Sequence, residues 1–314
     1  MVRGKLVRFL DNHRGSRRRP VMLAIAGDSA SGKSTVAAGL VNTLGPHRCL
    51  SISTDDYHRF DRLERSLNGM TPLHPDCNHL DILGQHLQLL ATGQSVLKPV
   101  YDHASGRLLR PVVVDPADYI IVEGLLPLHT NLCRACFDLA VYLDPDDNVR
   151  RDWKTQRDCA SRGYTPDQVL TELADRESDA QQFVLPQRAF ADLVVRFAPI
   201  EQRNDPPDTP LSATLLLRPN IPQPDLTSVL RPEITATMHM GLANDHDGRP
   251  VDSLHVHGYV DPEESARAEK LLWRALTEDR LEMTDALGAI AGGHSTPLAV
   301  TQMMLLFHLL KATR

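Results

Sequence analysis

Apolar positions in this chain fall into two patterns. The runs at 21–26, 119–124 and 139–143 are continuous, with no polar alternation. Strands covered on both faces read this way, and such strands belong to parallel sheets. A weaker strand is expected over 48–53. Between these runs the apolar spacing lengthens to the helical period, at 33–44 and again at 79–92. Strands alternating with helices predict an α/β fold: a doubly wound, mostly parallel sheet with helices on both faces.

Capping residues mark several helix starts. Asp144-Pro145, Thr165-Pro166 and Asp261-Pro262 each set a capping side chain before a proline suited to the first helical position. Gln168 and Glu264 stand three residues after Thr165 and Asp261 and predict capping boxes. The helix expected from Pro145 to about Arg162-Gly163 carries Arg150, Lys154 and Arg157 on one face. A short amphipathic helix is expected over 1–12. Proline and polar residues dominate 199–210, which reads as a linker or surface connection. Beyond it the pattern turns β-like, with Asp247-Gly248 as a hairpin signal, and a Met- and Leu-rich helix closes the chain over 297–312. The expected division is a core over 1–198, with a lid helix near 145–163, and a β-containing extension over 199–314 that completes the sheet.

The first strand runs directly into Gly27-Asp28-Ser29-Ala30-Ser31-Gly32-Lys33-Ser34-Thr35, which satisfies the phosphate-loop pattern G-x-x-x-x-G-K-[ST]. Its glycines let backbone amides close around phosphate oxygens, and the following helix N-terminus adds positive potential. Lys33 is placed for the β- and γ-phosphates and Ser34 for Mg²⁺. The chain is therefore expected to bind a nucleoside triphosphate.

The remaining parts of a phosphoryl-transfer site can be picked out in turn. Asp55 and Asp56 follow the second strand, and the carboxyl ends of such strands line the ligand crevice. A carboxylate there can take a proton from an acceptor hydroxyl or hold the metal. Glu123 ends an apolar strand, where an acid is costly unless it faces a cation. The basic face of Arg150, Lys154 and Arg157 suits a lid over the transferring group. His58, Arg59, Arg62 and Arg65 crowd one loop and suit a phosphate already present on the acceptor. Tyr101 and His103 add candidate sugar contacts.

Composition narrows the partners. Net charge is −6, so no general field draws nucleic acid, and the run at Arg14 and Arg17–19 reads as solvated. No apolar stretch approaches the ~20 residues of a membrane span, and no secretory pattern opens the sequence. Five cysteines, an odd number, predict reduced thiols and a cytoplasmic protein. Cys133 and Cys136 have zinc or redox spacing but no second ligand pair, and read as packing. His239, His246, His255 and His257 gather in the extension, where neutral histidines on a half-exposed sheet are commoner than a metal site.

Together these residues resemble the phosphoribulokinases, within the wider group that includes the uridine kinases. The resemblance rests on 27–35, on Asp-Asp-Tyr-His-Arg-Phe-Asp-Arg at 55–62, on Lys-Pro-Val-Tyr-Asp-His at 98–103, on 122–125, and on 153–158 through 162–164. It implies transfer of the γ-phosphate of MgATP to the 1-hydroxyl of ribulose 5-phosphate, giving ribulose 1,5-bisphosphate and ADP. Carried over by motif, Asp55 is the catalytic base and Glu123 the metal-associated acid. Lys154, Arg157 and Asp158 fall in the lid segment, and His58, Arg62, Arg65, Tyr101 and His103 match acceptor contacts. A homodimer through the C-terminal region is implied in the same way. Ser31 and Ser53 stand where members from oxygenic phototrophs carry a regulatory cysteine pair, and Leu126 replaces a histidine found in many members.

Other readings stay open. A uridine or other nucleoside kinase would need an aromatic slot that the acceptor loop does not offer. A kinase of another pentose phosphate fits the same motifs. A nucleotide sensor without transfer activity would have no use for Asp55, Glu123 and the basic lid together.

Overall fold

Every residue of Val21–Gly27 is buried, and this strand, β1, lies at the heart of an eight-stranded sheet. In chain order the strands that follow are β2 (Cys49–Ser53), β3 (Val96–Asp102), β4 (Arg107–Val114), β5 (Tyr119–Gly124), β6 (Leu139–Leu143), β7 (Leu193–Ala198), β8 (Ser212–Leu217), β9 (Met238–Asn244) and β10 (Pro250–Val256), of which all but β3 and β4 belong to this sheet. The computed structural model describes residues 19–200, 203, 206, 209–231, 235–278 and 281–312. The predicted helix over 1–12, the basic residues Arg14, Arg17 and Arg18, and part of the predicted linker over 199–210 lie outside the described residues.

The sheet order is β2-β5-β1-β6-β7-β8-β10-β9. The first five strands are mutually parallel, with Val21 beside Tyr119 and Leu23 beside Leu139. This is the doubly wound, mostly parallel sheet the continuous apolar runs called for. The last three strands join antiparallel, so the C-terminal extension continues the same sheet. Asp247-Gly248 forms the β9–β10 turn, with Gly248 at φ +78°, and Pro250 opens β10, where its missing amide costs little. β3 and β4 form a separate two-stranded ribbon that the sequence reading left unassigned. Most of β4 faces solvent on both sides, so no apolar period marks it.

The described helices are α1 (Lys33–Leu44), α2 (Arg62–Asn68), α3 (Leu80–Ala91), α4 (Asn131–Arg134), α5 (Asp147–Arg162), α6 (Pro166–Asp179), α7 (Pro262–Thr277) and α8 (Thr296–Ala312). Thr165 and Gln168 form the expected capping box. Two starts differ from expectation. The cap of α5 is Asp146, bonded to the Asn148 amide, while Asp144 instead receives Arg188 Nε at 3.0 Å. Asp261 caps α7, but Glu264 accepts from the Ala236 amide rather than closing a box.

α8 is buried from Thr296 through Leu309 and packs into the same core as β1 and α1. Its one long polar residue in that core, Gln302, is fully bonded: Nε2 donates to the Thr35 and Val36 carbonyls, and Oε1 accepts from the Gly288 amide. A buried amide satisfied at both ends fixes the register between two helices. Among the described residues no helix is long and apolar enough to cross a membrane.

Candidate active site

The loop after β1 is shaped by residues without large side chains. A Cβ on Gly27 would stand 2.6 Å from the Leu143 carbonyl, so only glycine lets β6 approach the loop. Gly32 caps α1 at φ +89° and Ala30 sits at φ +62°, a left-handed conformation that a non-glycine residue holds only under constraint. Lys33 is buried and donates to the Asp28 carbonyl at 2.6 Å and Ser31 Oγ at 3.4 Å. Burial lowers its pKa, against the raising effect of Glu123, Asp55 and Asp28. Ser34 Oγ donates to Glu123 Oε1 at 3.2 Å. Burial raises the Glu123 pKa, opposed chiefly by Lys33. Two hard oxygens this close, one anionic, suit a Mg²⁺ that keeps most of its waters.

The structure gives the neighbouring aspartates different surroundings. Asp56 Oδ1 accepts from the Tyr101 amide at 2.9 Å and Oδ2 pairs with Lys98 Nζ, so this carboxylate ties the β3–β4 ribbon to the loop after β2. Asp55 lines the cleft, with His103 Nε2 at 3.5 Å from Oδ2. Burial alone would raise its pKa. The charges of His58, His103, Lys33 and Arg65 outweigh burial and hold it below the usual carboxylate value. Asp55 is therefore the ionised, uncommitted member of the pair.

The acceptor end is basic and partly pre-wired. His58 Nδ1 bonds Asn78 Oδ1 at 2.8 Å, and its ring meets Tyr101 edge-on at 5.0 Å. Arg65 is buried, with Nη1 donating to the Phe60 carbonyl and Nη2 to Tyr101 Oη at 2.9 Å. Arg62 Nη2 donates to the His103 carbonyl. His58, Arg62, Arg65, Tyr101 and His103 all line the cleft. Arg59 does not: it is exposed, two residues past the short turn that carries Asp55. Arg162 from α5, Tyr164 from the connection that follows it and Arg176 from α6 add to this wall. Arg176 had no sequence signal, because nothing in α6 says which face meets the cleft.

The lid helix α5 lies against the loop. Arg150 Nη1 pairs with Asp28 Oδ2 at 2.8 Å, Arg157 Nη2 approaches Ser29 Oγ at 3.4 Å, and Trp153 packs near Gly32. Lys154 corrects the expectation of a phosphate contact. Its side chain is fully buried and donates to Asp158 Oδ2 at 2.7 Å and Glu172 Oε1 at 2.9 Å, outside the cleft lining. Asp158 is equally buried and likewise does not line the cleft. Burial raises the Asp158 pKa, but bonds from Arg157 and Lys154 prevail and bring it to about 2.

The histidines of the extension do not gather as a metal centre. His239 Nδ1 bonds His257 Nε2 at 3.0 Å, and the two nitrogens of His255 meet Thr214 and Ser253. Asp245, His246 and Asp247 lie within reach of one ion, but Asp245 is held by Arg188 and Arg218. Cys133 and Cys136 are buried in the core beside β5, as packing requires.

The loop, the Ser34–Glu123 pair, Asp55 and the arginine wall share one cleft of about 2120 Å³. This fold and this loop define a P-loop nucleotide-binding protein. The chain belongs to the phosphoribulokinase/uridine kinase family, whose model matches residues 22–203. It is 38% identical over 181 residues to a phosphoribulokinase of Synechocystis sp., covering 58% of this chain and 54% of that one. It is 34% identical over 183 residues to a uridine kinase of Lactiplantibacillus plantarum, covering 57% and 87%. The chain thus spans about half the length of the curated phosphoribulokinases it matches, those of Synechocystis sp. and Triticum aestivum among them. The phosphoribulokinase structure from Rhodobacter spheroides superposes with a TM-score of 0.57, covering 84% of this chain and 98% of that one; at 18% identity the likeness is one of fold.

Proposed function

We propose that the protein is an ATP-dependent sugar-phosphate kinase that phosphorylates the 1-hydroxyl of ribulose 5-phosphate. The observation that carries this reading is the division of labour between the paired aspartates. Asp56 is bound to Lys98 and Tyr101, and Asp55 faces the cleft between the phosphate loop and a wall of arginines. A free nucleoside has no use for that wall; an acceptor that already bears a phosphate does.

In this reading the loop amides and Lys33 hold the triphosphate with its γ end toward Asp55. Ser34 and Glu123 would hold a Mg²⁺, which would supply screening of the phosphate charge. Arg65, Arg62 and His58 bind the acceptor phosphate and Tyr101 orients it. Asp55 takes the proton of the 1-hydroxyl as its oxygen bonds to the γ-phosphorus. The bond from that phosphorus to the β,γ-bridging oxygen breaks, and ADP leaves with the bond's electrons. Arg157 neutralises charge spreading over the transferring group. The same reading takes the protein to act in the cytoplasm, as a homodimer.

ADP release is to be measured with ribulose 5-phosphate, ribose 5-phosphate, uridine and no acceptor, side by side. Turnover with ribulose 5-phosphate at least tenfold above the others supports the reading. Preferential turnover of uridine, to which one relative's name points, refutes it.

A further inference from the structure

Part of the cleft is walled by residues that no step above uses: Tyr259, Ile290, Ala291, His294, Pro297 and Leu298, all from the C-terminal extension. The whole cleft is roughly twice the ~300–1,000 Å³ of an ordinary small-molecule site. Direction of transfer decides what this part receives. The γ end of the triphosphate must face Asp55, so the ribose and base leave the loop at its other end, past Thr35 and Val36.

Gln302 fastens that point to the C-terminal wall, through 3.3 Å bonds to the Thr35 and Val36 carbonyls and a 2.8 Å bond from the Gly288 amide. Gly288 is at φ +71°, and a Cβ there would stand 2.5 Å from His294 Cε1. The imidazole is thus held against the segment that is tied to the first turn of α1. His294 Nε2 lies 2.8 Å from Glu269 Oε1, a carboxylate only 2% exposed on α7. A carboxylate oxygen accepts, so in the neutral imidazole this bond places the ring proton on Nε2. Nδ1 is left as an acceptor, with no hydrogen-bond partner among the described residues.

We propose that His294 reads the nucleobase of the phosphate donor. Its Nδ1 accepts from the 6-amino group of adenine, and Glu269 is the positioning residue that fixes the tautomer. Guanine offers a carbonyl oxygen at that edge, which would set lone pair against lone pair. The His294 side chain is 47% exposed, so a base seated against it would cover Nδ1, and a polar group covered but left unpaired by the wrong ligand is what makes such a site selective. The inference rests on the phosphate-loop reading above but not on the identity of the acceptor.

The test is therefore nucleotide binding without acceptor. MgADP and MgGDP are titrated calorimetrically into the wild-type protein and into His294→Phe, Glu269→Gln and Glu269→Leu. The wild type is expected to prefer ADP. His294→Phe keeps the wall and removes the acceptor, and should cut the ADP:GDP preference about tenfold. Glu269→Leu should do the same, whereas Glu269→Gln, whose amide oxygen still accepts from Nε2, should keep most of it. A merely structural role would lower both affinities together and leave the ratio intact. A wild type that binds the two equally, or a folded His294→Phe that keeps the ratio, overturns the assignment and leaves the acceptor assay unaffected.

Discussion

Asp55→Asn and Asp56→Asn, made side by side, put the central claim at risk. Both changes are isosteric and each removes one negative charge. The Asp55 carboxylate accepts no bond from a backbone amide among the described residues, and His103 Nε2 lies 3.5 Å from its Oδ2. Loss of a general base costs about 10²–10⁴ in kcat, or about 3–5 kcal/mol at 1.36 kcal/mol per decade. Nucleotide affinity should change little. Asp56→Asn keeps an oxygen for the Tyr101 amide and loses the charge opposite Lys98, in a pair whose side chains are 11% and 15% exposed. A charged hydrogen bond in such a place contributes about 1.5–3 kcal/mol to stability. Asp56→Asn should therefore lower the urea midpoint while kcat falls less than tenfold. Steady-state ADP release and urea titration of the two variants decide the matter. If Asp56→Asn loses more kcat than Asp55→Asn, or Asp55→Asn stays within tenfold of wild type, the assignment of the base is wrong.

Lys154→Met should destabilise the protein by about 3–5 kcal/mol, since it removes the buried ammonium that lies between Asp158 Oδ2 and Glu172; an unchanged urea midpoint would contradict the ion-pair account. Gly39→Ala improves helix propensity by about 1 kcal/mol, yet its Cβ would collide with the Gln302 amide, so a net loss of about 1–3 kcal/mol is expected, relieved in the Gly39→Ala/Gln302→Ala double variant. The Asp158 carboxyl lies at about 2 against an ordinary 3.8, so it adds stability above about pH 4 that is lost as pH falls toward 2. That loss amounts to about 2 kcal/mol, and urea midpoints at pH 6 and pH 3 should converge in Asp158→Asn relative to wild type.

What the sequence showed and what it hid follow from where the information lies. β1, β5 and β6 are buried on both faces, so their apolar runs are continuous and their boundaries came out within a residue. The phosphate loop is a local motif, and its nine residues needed nothing distant to be recognised. The β3–β4 ribbon gains its order from Asp56 gripping Lys98 and Tyr101, contacts across more than forty residues that no period records. The start of α5 was misplaced because both Asp144 and Asp146 have capping chemistry, and only the approach of Arg188 shows that Asp144 is taken. Arg59 and Arg65 look alike in a run of arginines. The turn of α2 buries one against Tyr101 and leaves the other in solvent.

The lid shows how a motif can name the right residues and mislead about their work. For the Lys154 ammonium to reach a transferring phosphoryl group it would have to leave Asp158 and Glu172, and separating a buried pair costs about 3–5 kcal/mol. Two other cations of the same helix, Arg157 and Arg162, already line the cleft. Both are bonded to the same carboxylate oxygen, Asp158 Oδ1, at 2.8 and 3.3 Å. Asp158 can stay ionised in the interior because Lys154 neutralises its other oxygen, and while ionised it aims both guanidinium groups. In the proposed reaction Lys154 would act on transfer at one remove, through the arginines it allows Asp158 to hold. A loss of turnover on replacing it would therefore be expected without any contact between lysine and phosphate.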